Sequence, residues 1–103
     1  MIVEERIYTV QPTKARAFIR ILEDGGYAIQ SEHLGSALGF FTTEFGPLNQ
    51  VIHIWKYESM EDRSRRRAAL QADPRWQEIV RQLSALIVTQ ENKLLVPAPF
   101  TPV

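Results

Sequence analysis

The stretch Gly39-Phe40-Phe41-Thr42-Thr43-Glu44-Phe45-Gly46-Pro47-Leu48-Asn49-Gln50-Val51-Ile52-His53-Ile54-Trp55-Lys56-Tyr57 decides the fold. Gly46-Pro47-Leu48-Asn49 reads as a hairpin loop, because Gly and Asn tolerate positive φ and Pro fixes its own. The flanking segments are rich in aromatic and β-branched residues, which predicts strands over Ala37 to Phe45 and Asn49 to Tyr57. In the later strand Val51, His53, Trp55 and Tyr57 point one way, while Ile52 and Ile54 point the other. In the earlier one Leu38 and Phe40 oppose Gly39, Phe41 and Phe45. Both strands are therefore apolar on both faces.

Working outward, Ile2 to Val10 is a further strand without Gly or Pro. Gln11-Pro12-Thr13 ends it and opens a helix, with Thr13 as the expected cap. Ala15, Phe18, Ile19, Leu22, Gly26, Ile29 and His33 then recur at three- and four-residue steps, one face of a helix that Gly35 closes. Gly25-Gly26 interrupt that stripe, which implies close packing against a neighbour or a kink. After the hairpin, Ser59-Met60-Glu61-Asp62 resembles a capping box and opens a helix to about Ala72. Asp73-Pro74 restarts a helix, on which Trp76, Ile79, Val80 and Leu83 form an amphipathic stripe. A last strand spans Leu86 to Val96, and residues 97–103 form a Pro-rich extended tail. The order β-α-β-β-α(α)-β is the split βαβ pattern of ferredoxin-like folds, α+β with a four-stranded antiparallel sheet, in one domain over residues 1–103.

A sheet covered by helices on one face should alternate apolar and polar residues. These strands do not, and a chain of this length cannot cover both faces with helices. The uncovered face would expose a large apolar patch, which monomers avoid. Packing it against its own copy by two-fold symmetry is the simplest solution, so a homodimer is expected.

Composition removes several function classes. The formal net charge is zero, with 12 basic and 12 acidic residues. No basic surplus exists to bind nucleic acid or an anionic membrane. Without cysteine there is no disulfide, thiolate metal site or cysteine nucleophile. No apolar run approaches the roughly 18 residues of a membrane span. The acidic residues in Ile2-Val3-Glu4-Glu5-Arg6 do not suit a targeting segment, so a cytoplasmic location is expected. The two histidines have no ligand spacing for a metal, and no motif for a cofactor, phosphate loop or Gly-flanked nucleophilic serine is present.

The run from Gly39 to Tyr57, continuing through Glu58-Ser59-Met60-Glu61-Asp62-Arg63-Ser64-Arg65-Arg66-Arg67, closely resembles the NIPSNAP family. Val3-Glu4-Glu5-Arg6-Ile7-Tyr8 and Leu95-Val96-Pro97-Ala98-Pro99-Phe100 look similar to it as well, so the resemblance covers nearly the whole chain. It implies the dimeric α/β-barrel superfamily, with two sheets joined as a barrel, and a bacterial stand-alone version of the domain. That superfamily holds small monooxygenases, isomerases and haem-binding enzymes, but a fold does not transfer a reaction.

Candidate site residues follow from side-chain chemistry. His53 lies mid-strand and is the candidate acid or base, with Glu44 at the end of the paired strand. It is equally a hydrogen-bonded structural histidine, since no second titrating group is fixed beside it. His33, near the end of its helix, caps that helix or faces a pocket of the kind in which haem-binding relatives place an axial histidine. Glu4, Arg6 and Tyr8 share one face of the first strand. Glu5, Ile7 and Thr9 share the other, and charge on a central strand is expensive to bury unpaired, so at least one face is wet or internally paired. A small-molecule pocket between sheet and helices is expected, lined by Tyr8, Phe41, Glu44, Trp55, Arg63, Arg66 and Trp76. The arginines at 63, 65, 66 and 67 read as a solvated helix face paired with Glu58, Glu61 and Asp62, with one inward arginine available to anchor a carboxylate.

Three functions fit these residues. The chain is a monooxygenase- or isomerase-like small enzyme acting on an apolar metabolite, a ligand-binding module without turnover, or a protein-interaction dimer. The residues alone do not decide whether it is an enzyme.

Overall fold

The computed structural model describes residues 1–103. Its elements are β1 (Ile2–Val10), α1 (Ala15–Ile21), α2 (Tyr27–Leu34), β2 (Gly39–Thr42), β3 (Gln50–Tyr57), α3 (Met60–Gln71), α4 (Pro74–Ser84) and β4 (Ile87–Leu95). The strands form one antiparallel sheet in the order β2-β3-β1-β4. This is the ferredoxin-like arrangement, in which β1 and β3 are central and β2 and β4 are edges.

The first helical segment is broken where the sequence carries its two glycines. A π-helical turn over Leu22–Gly26 joins α1 to α2, with Gly25 at φ 135. Gly26 makes the close approach instead: a Cβ there would stand 3.1 Å from the Ile21 carbonyl oxygen and 3.3 Å from Ile79 on α4. One glycine supplies the kink and the other the packing. Thr13 does not cap α1. It adopts φ 72, and Lys14 takes the cap position with no side-chain bond. Gly35 closes α2 at φ 80, as its position suggested.

α3 and α4 begin as their sequences require. The Ser59 hydroxyl accepts from the Asp62 N–H at 3.1 Å, but the Asp62 carboxylate accepts from the Glu58 N–H at 3.0 Å rather than from Ser59. Asp73 caps α4 by accepting from the Arg75 N–H, with Pro74 in the first turn. β2 is shorter than the predicted Ala37–Phe45. Beyond Thr42 the chain turns through Gly46 and Asn49, both at positive φ, and Phe45 is left 91% exposed. No strand faces residues 44–48 across the loop, so the ladder stops with the Thr43 N–H to Gln50 carbonyl bond.

All helices lie on one side of the sheet. Tyr8, Val10, Val51, Trp55 and Tyr57 face them and pack with Phe18, Leu22, Leu34, Leu70, Trp76 and Leu83. The molecule is only 20 Å across its thinnest dimension. That accommodates one sheet and one helical layer at the usual spacing of about 10 Å, with nothing left for a third. The opposite face carries Ile7, Ile52 and Ile54, half-buried, with Phe41 and Leu95 exposed.

The kink yields a direct test. Gly25→Ala meets no neighbouring atom but forces an L-residue into φ 135. Urea unfolding at fixed protein concentration should show a loss of about 1–3 kcal/mol with an unchanged m-value.

Candidate functional site

Glu4 and Arg6 of β1 lie on its helix-facing side, and the structure resolves how a central strand tolerates them. Glu4 is fully buried. Its Oε2 accepts from Arg63 Nη2 at 2.7 Å and from Arg6 Nη1 at 3.1 Å, and its Oε1 accepts from Arg67 Nη2 at 3.5 Å. Burial alone would raise the Glu4 pKa, but the Arg63 hydrogen bond and the charges of Arg6 and Arg67 outweigh it and hold the carboxyl below its ordinary range. Arg6 Nε donates to the Tyr8 hydroxyl at 2.8 Å, and Arg67 Nε donates to the Tyr57 hydroxyl at 3.2 Å. The Arg67 guanidinium also lies 5.9 Å from the centre of the Trp55 ring, within cation–π range. Turned so that its amide oxygen faces Arg6, Asn92 of β4 accepts from Nη1 at 3.0 Å.

α3 is what brings these arginines in. Arg63 and Arg67 are four residues apart, hence one helical turn, and share the inward stripe with Leu70. Arg65 and Arg66 fall on the outward side and pair with Asp62, while Arg66 also donates to the Leu34 carbonyl at 3.0 Å. Two of the four arginines are thus the paired helix face expected from sequence. The other two reach a carboxylate some sixty residues earlier in the chain.

Beside this cluster, between β1–β4 and α3–α4, lies a cavity of about 360 Å³. Arg6, Tyr8 and Arg67 form one wall, and Trp76, Leu83 and Ile87 form much of the other. A larger cavity of about 570 Å³ opens between α1–α2 and β2. Its wall is mainly Ile19, Leu22, Tyr27 and Phe40, and Glu23 is the one charged group there. Size favours the second over the first, and a cleft of about 680 Å³ lined by the exposed Arg16, Arg20, Asp24 and Gln82 over both; convergent buried polar groups on an apolar wall favour the first, and these are what position a ligand.

Of the residues singled out from sequence, Tyr8 and Trp76 line the charged cavity. Trp55 lies in the core beneath Arg67. Arg63 stands behind the cavity on Glu4, and Arg66 sits at the notch between α2 and α3. Phe41 projects from the opposite side of the sheet and is 53% exposed, because β2 register places Phe40 opposite His53. Glu44 is exposed in the β2–β3 loop rather than beside His53. The two cavity arginines, Arg6 and Arg67, were not among the expected lining residues. The signal available was the four-residue spacing of Arg63 and Arg67, set against the charged face of β1.

His53 does not face a cavity of this size. It is 1% exposed and encased by Phe40, Tyr8 and Phe18, at ring-centroid distances of 4.6, 4.8 and 5.9 Å. Neither ring nitrogen has a hydrogen-bond partner. Burial first, and the positive charges of Arg6 and Arg67 second, push its pKa down to about 3. A neutral imidazole sealed from solvent has a packing role and no route for proton transfer to a ligand. His33 also departs from expectation: rather than capping its own helix, it bonds Asp73 at 3.0 Å and ties α2 to the start of α4. Glu32, His33 and Asp73 converge there, and Arg75 donates to both carboxylates, which makes the group an ion-paired helix contact.

The fold and this site together define a ferredoxin-like α+β domain with a ligand-sized cavity between sheet and helices. The family model described as NIPSNAP matches residues 3–102, and the chain belongs to the NIPSNAP family. It is 34% identical over 100 residues to human protein NipSnap homolog 3A, an alignment covering 94% of this chain and 39% of the human one. The chain spans about a third to two-fifths of the length of the curated relatives it matches first. A crystal structure of an Agrobacterium tumefaciens protein superposes with a TM-score of 0.97 at 42% identity, covering 100% of this chain and 99% of that one. A candidate antibiotic biosynthesis monooxygenase from Nitrosomonas europaea superposes at 0.69 with 11% identity, covering 94% and 98%, a likeness of fold alone. No helix is long and apolar enough to cross a membrane.

The buried charges set two expectations. Glu4→Gln leaves three guanidiniums around a neutral amide, and unfolding should become easier by about 3–5 kcal/mol. The second concerns pH. The folded-state pKa of His53 is depressed from 6.5 to about 3. Above 6.5 the ring is neutral in both states and full stability is present. As pH falls from there toward 3, the unfolded chain takes up a proton that the folded one does not, and stability is lost. At about pH 4.5 the wild type should have lost roughly 2–3 kcal/mol through this residue, at ~1.4 kcal/mol per pKa unit. Urea titrations at neutral pH and at pH 4.5 should show a shallower pH dependence in His53→Leu, and equal slopes would assign the loss to other groups.

Proposed function

We propose that the protein is a homodimer whose subunits each bind a small molecule in the cavity bounded by Arg6, Tyr8, Arg67 and Trp76, without turning it over. One observation carries the binding role: buried polar groups and an apolar wall converge on one cavity of ligand size. The absence of turnover is supported by what the cavity presents. Its ionisable groups are Arg6, Arg67 and Tyr8, and the histidine suited to acid–base work is sealed in the aromatic core. The enzyme alternative that rests on His53 would need it to reach a ligand, which its cage of three rings opposes.

The dimer is supported by the apolar face of Ile7, Phe41, Ile52 and Ile54, left without a covering layer in a molecule 20 Å thick. A bacterial origin is part of the same proposal, favoured by the 42% identity to the Agrobacterium protein.

Native mass spectrometry of the protein as purified tests both parts. The expected species is a dimer, with Ile52→Asp shifting it to monomer at micromolar concentration. A retained or added small molecule should be lost from Trp76→Ala while the dimer persists. A monomeric wild type would overturn the dimer, and ligand binding indifferent to Trp76 would overturn the assignment of the cavity.

A further inference from the structure

We propose that the ligand of this cavity is an organic acid, an apolar and preferably aromatic body bearing one carboxylate that Arg6 and Arg67 clamp. The assignment rests on the cavity being the binding site and adds the ligand's charge and class. Its foundation is a local imbalance in a chain whose total formal charge is zero. Three guanidiniums, those of Arg6, Arg63 and Arg67, surround a single carboxylate, that of Glu4. All three arginine side chains are at least three-quarters buried. The other groups that accept from Arg6 and Arg67 are Tyr8, Tyr57 and Asn92, which are neutral. The cluster therefore carries two positive charges beyond what the protein neutralises, at a site largely withdrawn from water, where unpaired charge is costly.

Arg6 and Arg67 both line the cavity, and each keeps a donor that the protein does not use. Arg6 spends Nε on Tyr8 and Nη1 on Glu4, and Nη2 has no acceptor in the protein. Arg67 spends Nε on Tyr57 and Nη2 on Glu4, and Nη1 has none. Arg63 faces Glu4 from behind and does not line the cavity. Two guanidiniums with unused donors therefore line one cavity, an arrangement that suits a planar carboxylate. Opposite them, Trp76, Val80, Leu83 and Ile87 offer an apolar wall that would cover a ring or short chain. Glu4 is the positioning residue: it fixes the two guanidiniums without consuming their outward edges.

Phenylacetate and its neutral isostere phenylacetamide are the probes, titrated into the intact protein by NMR while the Arg Nε–H and Trp indole N–H signals are followed. Phenylacetate should shift the Arg67 Nε–H and Trp76 signals and bind at least tenfold more tightly than the amide. Arg67→Gln should abolish that preference, whereas Arg65→Gln, an exposed arginine on the far side of α3, should keep it. If Arg67→Gln fails to fold, the shift of the Arg67 signal in the wild type, with Arg67→Lys as the second variant, decides the matter. Acid and amide binding equally, both sensitive to Trp76→Ala, would overturn the carboxylate and leave the cavity standing. Equal weakening by Arg65→Gln and Arg67→Gln would reduce the preference to general surface attraction and overturn the clamp. Inorganic phosphate displacing the acid at comparable concentration would overturn the carboxylate in favour of phosphate. No response to any probe at millimolar concentration would overturn the cavity assignment together with the clamp.

Discussion

The position of Glu4 constrains the rest of the molecule. A carboxylate in the middle of a central strand, with no exposure to solvent, has to be surrounded by donors or stay protonated. The chain supplies three arginines, and two of them come from α3. Because Arg63 and Arg67 must both point at the same carboxylate, the rotation of α3 about its axis is fixed. That rotation sends Leu70 into the core and leaves Asp62, Arg65 and Arg66 on the other side. Arg66 then reaches the Leu34 carbonyl, so the end of α2 is set against α3 by the same choice. A hydrophobic stripe alone would orient α3 loosely, since half of its residues are charged. The ion cluster supplies the direction that apolar burial does not.

How far the sequence foretells this depends on the range of the interaction. The alternation of β3, with Val51, His53, Trp55 and Tyr57 opposed to Ile52 and Ile54, is a local pattern, and the structure keeps it residue for residue. The caps at Ser59 and Asp73 are equally local. The charged face of β1 was legible as a problem: Glu4, Arg6 and Tyr8 on a central strand must be wet or internally paired. Which residues pair with them was not legible, because Arg63 and Arg67 lie 59 and 63 positions away and compete in sequence with nearer acids. The end of β2 failed for the opposite reason. Phe41 and Phe45 have strand propensity, but a ladder ends where its partner ends, and β3 begins only at Gln50.

His53 shows why residue type alone misleads about chemistry. A histidine among aromatic residues in a strand has the composition of an active site and of a packed core alike. What separates them is access and a charged partner. Here Phe40, Tyr8 and Phe18 remove access, and the nearest charges are those of Arg6 and Arg67, which oppose protonation. Burial does most to keep His53 neutral, and the two arginines that add to it also give the neighbouring cavity its character. The candidate base and the proposed anion site thus share the same two arginines, whose charge opposes a proton on the one and suits a carboxylate at the other.

Successive residues of β1 serve opposite sides of the sheet. Arg6 and Tyr8 belong to the charged wall of the cavity and Glu4 holds Arg6 there, while Val3, Glu5 and Ile7 project toward the face that the proposed partner would cover. A slip of one residue would exchange the two sets, burying Glu5 where Glu4 belongs and pointing Ile7 at the arginines. Register is therefore under strong constraint from both sides at once. Backbone pairing holds it on β3, where Arg6 stands opposite His53 and Glu4 opposite Trp55. On β4 the pairing shifts by one at Val88, between Thr9–Thr89 and Val10–Ile87, so the bulge falls beyond the charged residues. Asn92 and Gln90 are thereby left opposite Arg6 and Tyr8, on the cavity side of the open edge. A strand whose two faces carry such different chemistry needs both of its neighbours in register, which is the reason β1 occupies the centre of the sheet.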